Sequence, residues 1–284
     1  MFKTFIVNND FHGARFDKWF KNTVIDIPHS LIEKIIRLNK IKVNKKKTKS
    51  SYRVQEGDQV EVYEIEKIKP QKKNLTLKYK PKKKELNKYD YNIIENNENF
   101  LIINKPAGIP VQSGTKSFKN IIDILKNSKY FEGTKPYIVH RIDKETSGIL
   151  IIAKNRKFAQ LFTSLFRIRK IHKTYLALTY GKISNSIKTL KDNLTYYEKN
   201  KKINQSAISY LRVIRSNDSY SFIELKPITG RKHQLRKQLL NLGNPIIGDN
   251  KYFILKKKSK LQNLMLHAHK IKFIINDKKY SFEA

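Results

Sequence analysis

The segment YIVHRIDKETSGILIIAKN, residues 137–155, places charged and ionisable side chains between two apolar runs. Tyr137–Val139 and Ile149–Ala153 read as short strands; His140, Arg141, Asp143, Lys144 and Glu145 fall between them, followed by a Ser-Gly turn. A carboxylate held there can act as a nucleophile or a base, and the cations beside it can bind an anion. Simpler roles compete. Asp143 can cap a turn, His140 reads as a satisfied scaffold histidine, and Thr146 and Ser147 read as bonding the local backbone. His267 and His269 stand two apart, a spacing compatible with a metal, but no third ligand of matching context accompanies them, so both read as structural. The chain has no cysteine, which excludes thiolate nucleophiles, thiolate metal sites and disulfides.

The 284 residues give room for one large domain or a small one beside a larger one, and 39% hydrophobic residues can supply a sizeable core. Net charge is +36. Part of this reflects a composition rich in Lys, Asn and Ile, yet so large an excess favours a polyanionic partner, nucleic acid ahead of lipid. No apolar run reaches the roughly 20 residues of a spanning helix, so no membrane is expected. Met1–Phe20 lacks the signal-peptide pattern, and a cytoplasmic location is the default expectation.

Elements to position these groups can be read from periodicity. Phe16, Trp19 and Phe20 recur at helical spacing, and Pro28 opens a second helix with Leu31, Ile32, Ile35, Ile36 and Leu38 on its apolar face. Short strands follow in IKVN and YRVQEGDQVEVY. Two helices, then small strands with lysines between them, resemble the S4 RNA-binding domain over residues 14–66. The resemblance implies that Lys34, Arg37, Lys40, Lys42 and Lys45 face RNA. For any one lysine a solvated surface is the simpler reading; the patch as a whole points to RNA. Residues 67–88 combine lysines with two prolines and read as a charged linker. From residue 89 onward, strand-like runs of four to eight residues alternate with turns. Phe158, Leu161, Phe162, Leu165 and Phe166 mark one helix; Leu235, Leu239 and Leu242 mark another. Strands that follow one another directly predict an α+β domain over 89–284, with a mixed, mainly antiparallel sheet flanked by helices.

HRIDKETSG at 140–148 resembles the central motif of the RluA family of pseudouridine synthases, and further family motifs follow the same order. They are NKPAGIPV at 104–111, KTYLALTYG at 173–181, PITGRKHQLR at 227–236, GNPIIGDNKY at 243–252 and LMLHAHKIKF at 264–273. With an S4-like unit in front, the layout is most similar to the members acting on large-subunit ribosomal RNA. The resemblance implies isomerisation of specific uridines in 23S ribosomal RNA by a monomer. The same reaction on transfer RNA, or a non-catalytic ribosome-assembly factor on this scaffold, are the alternatives. Isomerisation involves no redox change or energy input, so no cofactor and no metal are expected.

By resemblance Asp143 is the catalytic carboxylate, Arg236 pairs with it, and Tyr175 stacks on the target base. A carboxylate in a stacked-base pocket loses water, and a paired guanidinium keeps such a group ionised. The resemblance further places Arg141 in the position the flipped base vacates, with Lys105, Arg231 and His233 as phosphate or loop contacts. Whether the carboxylate adds to the ring, attacks C1′ or assists loss of the 2′ proton stays open. Tyr175, alternating with Ala177, also fits an ordinary core strand. Ile142 in place of Leu, Gln112 in place of a common His, and the absence of a His-Pro pair after the last strand depart from the family pattern.

Overall fold

Apolar residues collect into separate cores on either side of the lysine-rich stretch. The computed structural model describes residues 2–68, 81, 92–113, 119–198, 201–253 and 263–284. Its chain divides into two units, Met1–Thr76 and Leu77–Ala284. Most of the expected 67–88 linker lies outside the described residues; Ile68 packs into the N-terminal core.

The N-terminal unit runs β1 (Phe2–Ile6), α1 (Phe16–Thr23), α2 (His29–Arg37), β2 (Ile41–Val43), β3 (Lys46–Lys47) and β4 (Gln59–Tyr63). Both helices form where the spacing predicts. Phe16, Trp19 and Phe20 of α1 and Ile32 and Ile35 of α2 are buried against Val60 and Val62. The antiparallel sheet has the order β1-β4-β2-β3. β1 therefore belongs to this unit, although the expected span began at residue 14. It pairs with β4 from Phe2↔Tyr63 to Ile6↔Gln59. Four of its five residues are exposed, so it carries no alternating apolar signal.

In the second unit the strands are β5 (Ile93–Asn96), β6 (Phe100–Lys105), β7 (Tyr137–Ile138), β8 (Ser147–Ala153), β9 (His172–Tyr180), β10 (Thr189–Glu198), β11 (Lys201–Ser216), β12 (Tyr220–Pro227), β13 (Leu266–Ile275) and β14 (Lys278–Glu283). The helices are α3 (Ile121–Lys126), α4 (Arg156–Arg167) and α5 (Gln234–Asn241). The main path of the sheet is β10-β11-β12-β9-β13-β8-β6-β5, with β14 added to β13 and β7 to β8. Its pairings are antiparallel except for β8 with β13, the mixed, mainly antiparallel sheet expected.

Phe100–Ile103 of β6 and Ile149–Ala153 of β8 form uninterrupted apolar runs because both faces of these strands are covered. Leu101, Ile103, Leu150 and Ile152 pack under α3. Phe100, Ile102, Ile149 and Ile151 pack against Phe162 of α4 and Phe273 of β13. Asn155 caps α4 by accepting the Phe158 N–H at 2.9 Å. Farther along the sheet, Leu235 and Leu239 of α5 cover Ala177, Ile223 and Leu225.

The strand expected at Tyr137–Val139 shortens to two residues, paired as Tyr137↔Ala153 and Ile138↔Ile152. The chain leaves the sheet, forms a loop over 139–146 and re-enters at Ser147. Two features pin that loop. His140 accepts the Ile151 N–H on Nε2 at 2.8 Å and stacks on Phe166 at 4.6 Å. Burial, reinforced by the charge of Lys173, pushes its pKa down to about 3, which keeps the ring neutral. At the re-entry point Gly148 has φ 108°, and a Cβ there would lie 2.3 Å from the Ala268 carbonyl oxygen. Only glycine lets β8 approach β13 this closely. Ser147, expected to bond local backbone, instead meets His267 Nδ1 of β13 at 2.9 Å.

Gly148→Ala should lower unfolding free energy in urea by about 2–4 kcal/mol, since backbone cannot yield to the methyl. A loss under about 0.5 kcal/mol would show that the β8–β13 approach is not tight. His140 contributes a pH term of definite sign. Its folded pKa lies below the unfolded value, so its contribution is complete above pH ~6.5 and is lost as pH falls towards 3. Resistance of the wild type to urea should weaken from pH 7 to 5, and His140→Gln should flatten the slope; parallel slopes would refute this.

Candidate active site

The loop after β7, strand β9 and the turn into α5 converge on one cavity of about 440 Å³. Arg141, Asp143, Tyr175, Arg231, His233 and Arg236 all line it, although they come from three separate sequence motifs. Asp143 sits in the loop and its carbonyl accepts the Thr146 N–H at 3.2 Å. Tyr175 shares its face of β9 with Ala177, as period-2 alternation requires. His233 precedes α5 in a left-handed conformation, φ 53° and ψ 33°, and Arg236 lies in the helix's first turn.

Arg236 organises the electrostatics. Its Nε and Nη2 donate to the two carboxylate oxygens of Asp249, each at 2.7 Å. Nη1 reaches Asp143 Oδ2 at 3.5 Å. The expected Arg236–Asp143 pair is therefore the longer of two contacts, because the fork of the guanidinium is taken by Asp249. Asp249 is fully enclosed, and its Oδ1 also accepts the Lys251 and Tyr252 N–H groups at 2.9 Å. Burial alone would raise its pKa, but Arg236 and those backbone donors outweigh burial and hold the carboxyl below its ordinary value. Burial likewise opposes the charge on Arg236, and its carboxylate partners, Asp249 foremost, more than restore it. Its guanidinium also lies over the Tyr252 ring at 5.1 Å. Sequence reasoning missed Asp249. Its signal was an acid directly after Gly248 in GNPIIGDNKY, where a Cβ would stand 1.9 Å from the Asn263 carbonyl oxygen.

His233 stands beside the carboxylate, with Nε2 3.7 Å from Asp143 Oδ1 and Nδ1 bonded to the Tyr252 hydroxyl at 2.9 Å. Burial lowers its pKa more than Asp143 raises it, and neighbouring cations add to the lowering. The ring is neutral near pH 7. Burial, and then the Asp143 charge, raise the pKa of the Tyr175 hydroxyl, leaving it a proton donor at neutral pH. Arg141 is exposed at the cavity edge, and Arg231 donates through Nε to the Ser206 carbonyl at 3.1 Å.

Lys105 does not present itself to a phosphate as expected. It is 0% exposed, and Nζ donates to the carbonyls of Pro106, Ile109 and Lys144 at 2.7, 2.9 and 3.1 Å. Burial lowers its pKa to about 8, against the attraction of Glu145 and Asp143. It ties two loops together one residue from Asp143. His267 and His269 both approach the Ala284 carbonyl. No group of three metal-binding side chains occurs among the described residues. In the N-terminal unit Lys34, Arg37 and Lys45 are exposed, and Lys42 lies over the Tyr63 ring at 5.3 Å. Lys40, expected to face RNA, is instead paired with Glu64.

Comparison with known proteins agrees with this geometry. The RNA pseudouridylate synthase family pattern matches residues 99–241, and the S4 domain pattern matches 15–60. The ribosomal large subunit pseudouridine synthase C of Buchnera aphidicola subsp. Schizaphis graminum is 33% identical, covering 94% of this chain and 88% of that protein. Its counterpart in Rickettsia conorii is 36% identical, covering 91% and 88%. The solved structure of human RNA pseudouridylate synthase domain containing 4 superposes with a TM-score of 0.59 at 26% identity, over 70% of this chain and 90% of that one. With three of its family-like motifs lining one cavity and an S4 domain ahead of them in sequence, the chain belongs to the RNA pseudouridylate synthase family.

Proposed function

We propose that this enzyme converts specific uridines of large-subunit 23S ribosomal RNA to pseudouridine, with Asp143, Tyr175 and Arg236 as its catalytic groups. The observation that carries the reading is the convergence of those three side chains on one cavity. The names of its relatives support the ribosomal target. The reading places RNA binding in the S4-like unit and the linker beyond it. It takes the enzyme to be a cytoplasmic monomer that needs neither metal nor cofactor.

In the reaction the C1′–N1 bond breaks, the base rotates, and C5 bonds to C1′. C5 then gives up its proton and N1, freed from C1′, takes one up, so atoms balance without an oxidant or reductant. Asp143 supplies the anionic oxygen beside the sugar and ring. Arg236 aims that carboxylate through Nη1, 3.5 Å from Oδ2. Tyr175 offers its ring face to the unstacked pyrimidine and its protonated hydroxyl as a donor. Arg141, at the exposed edge, fills the gap left in the RNA stack. His233 and Arg231 line the same mouth and contact the loop or its phosphates. On the N-terminal unit, Lys34, Arg37, Lys42 and Lys45 add phosphate contacts.

Asp143→Asn should reduce pseudouridine formation at least about 1000-fold while RNA affinity stays within about twofold. Tritium release from ribosomal RNA labelled at uridine C5 measures the first, and filter binding the second; normal turnover by the variant would overturn the assignment. Asp249→Asn should lower kcat about 10–100-fold with little change in KM, because Arg236 loses its fork partner. In an Asp143→Asn background the same change should add nothing further. An unaltered kcat would remove Asp249 from the positioning of Arg236.

A further inference from the structure

A second cavity, of about 630 Å³, opens on the other side of the turn that joins α4 to β9. Its floor is apolar, built from Leu165, Phe273 and Tyr280, and its rim carries Lys170, Lys272 and Lys279. No acidic side chain lines it. Ile274, also in the lining, is 53% exposed. The notch arises because β13 outruns its neighbour. β9 pairs with β13 only as far as His172↔Lys272, while β13 continues to Ile275 alongside β14.

The turn itself links this cavity to the catalytic one. Arg169 takes a left-handed conformation, φ 60°, so successive side chains swing to opposite sides. Arg167, Arg169 and Lys173 line the catalytic cavity; Lys170 and His172 line the second. None of Arg167, Arg169, Lys170, Lys173 and Lys279 has an ion pair among the described residues. Lys173 is half-buried, and retaining an uncompensated charge in a cavity wall fits an anion that arrives from outside.

We infer that this second cavity is a nucleotide subsite: it takes the base of a neighbouring, unpaired nucleotide of the same RNA strand whose uridine occupies the catalytic cavity. Arg169 and Lys173 then hold the phosphates that cross the turn, and Lys170, Lys272 and Lys279 hold those at the second cavity. Apolar and aromatic floors accept any base face, and lysines track a backbone without reading sequence. The inference rests on the substrate being RNA, as proposed above. A polymer entering the catalytic cavity must leave it somewhere, and the ridge of unpaired cations marks the exit.

The test uses the full-length protein and a single-stranded oligouridine of roughly 12 nucleotides carrying 4-thiouridine. Photocross-links should map to the peptide containing Phe273 and Tyr280 as well as to the catalytic cavity. Lys170→Gln with Lys279→Gln should reduce the slope of log affinity against log salt by about 1.4, two contacts at about 0.7 each. Ile274→Glu, at an exposed position, should weaken oligouridine binding about tenfold and abolish the second cross-link. Cross-links confined to the catalytic cavity, with an unchanged salt slope, would overturn the inference. So would a dimer in sedimentation that Ile274→Glu dissociates, because a second copy would then cover the notch. Tritium release by the wild type reports on the proposed function separately, since neither cross-linking nor the salt slope requires turnover.

Discussion

A single buried guanidinium sets the order of the site. Arg236 cannot be enclosed without carboxylates to compensate it, and a buried ion pair stabilises only when its remaining hydrogen-bonding groups are also satisfied. Asp249 meets that condition with two short bonds to the fork and two backbone donors of its own. The guanidinium is thereby fixed in plane, with Nη1 left over and directed at Asp143. Had Asp143 been the fork partner, its oxygens would be fully engaged. The longer contact leaves the Asp143 oxygens less engaged than those of Asp249.

Placement of Asp143 depends on a loop tied down at its start, middle and end. His140 pins its start to β8, Lys105 binds the Lys144 carbonyl at its middle, and Gly148 brings its end against β13. These tie-points lie on strands buried beneath helices, so little movement is available to the loop without disturbing the core. Charge placed in an otherwise apolar segment is therefore a device for holding one carboxylate at the edge of a packed sheet.

Electrostatics also separate the residues that work on each other from those that await a ligand. Arg236 is compensated by Asp249 with Asp143 beside it, and burial holds His233 and Tyr175 neutral near pH 7. Around them Arg141, Arg167, Arg169 and Lys173 line the same cavity as a cationic excess with a single carboxylate facing it. In the N-terminal unit the same sorting occurs: Lys40 is used internally by Glu64, while Lys34, Arg37 and Lys45 stay exposed. A chain of net charge +36 thus spends few of its cations on its own fold.

Much was legible in the sequence where a local rule decided the outcome. Apolar spacing placed α1, α2, α4 and α5; the uninterrupted apolar run of β8 indicated a strand covered on both faces. Motif context singled out Asp143, Tyr175 and Arg236, which the fold brings to one cavity, since residue type and motif context travel with the sequence. Other features had no local signal. β1 is exposed and carries no period, α3 is too short for one, and β7 forms only where β8 offers it a partner. The pairing of Arg236 with Asp249, the tie of Lys105 to Lys144 and the reach of Ser147 to His267 join residues 13 to 120 positions apart. Sequence by itself determined which groups are present and which local elements carry them. Tertiary structure alone decided which charges meet, because a pairing between distant residues is set by how strands are ordered in the sheet and by how closely glycine lets two of them approach.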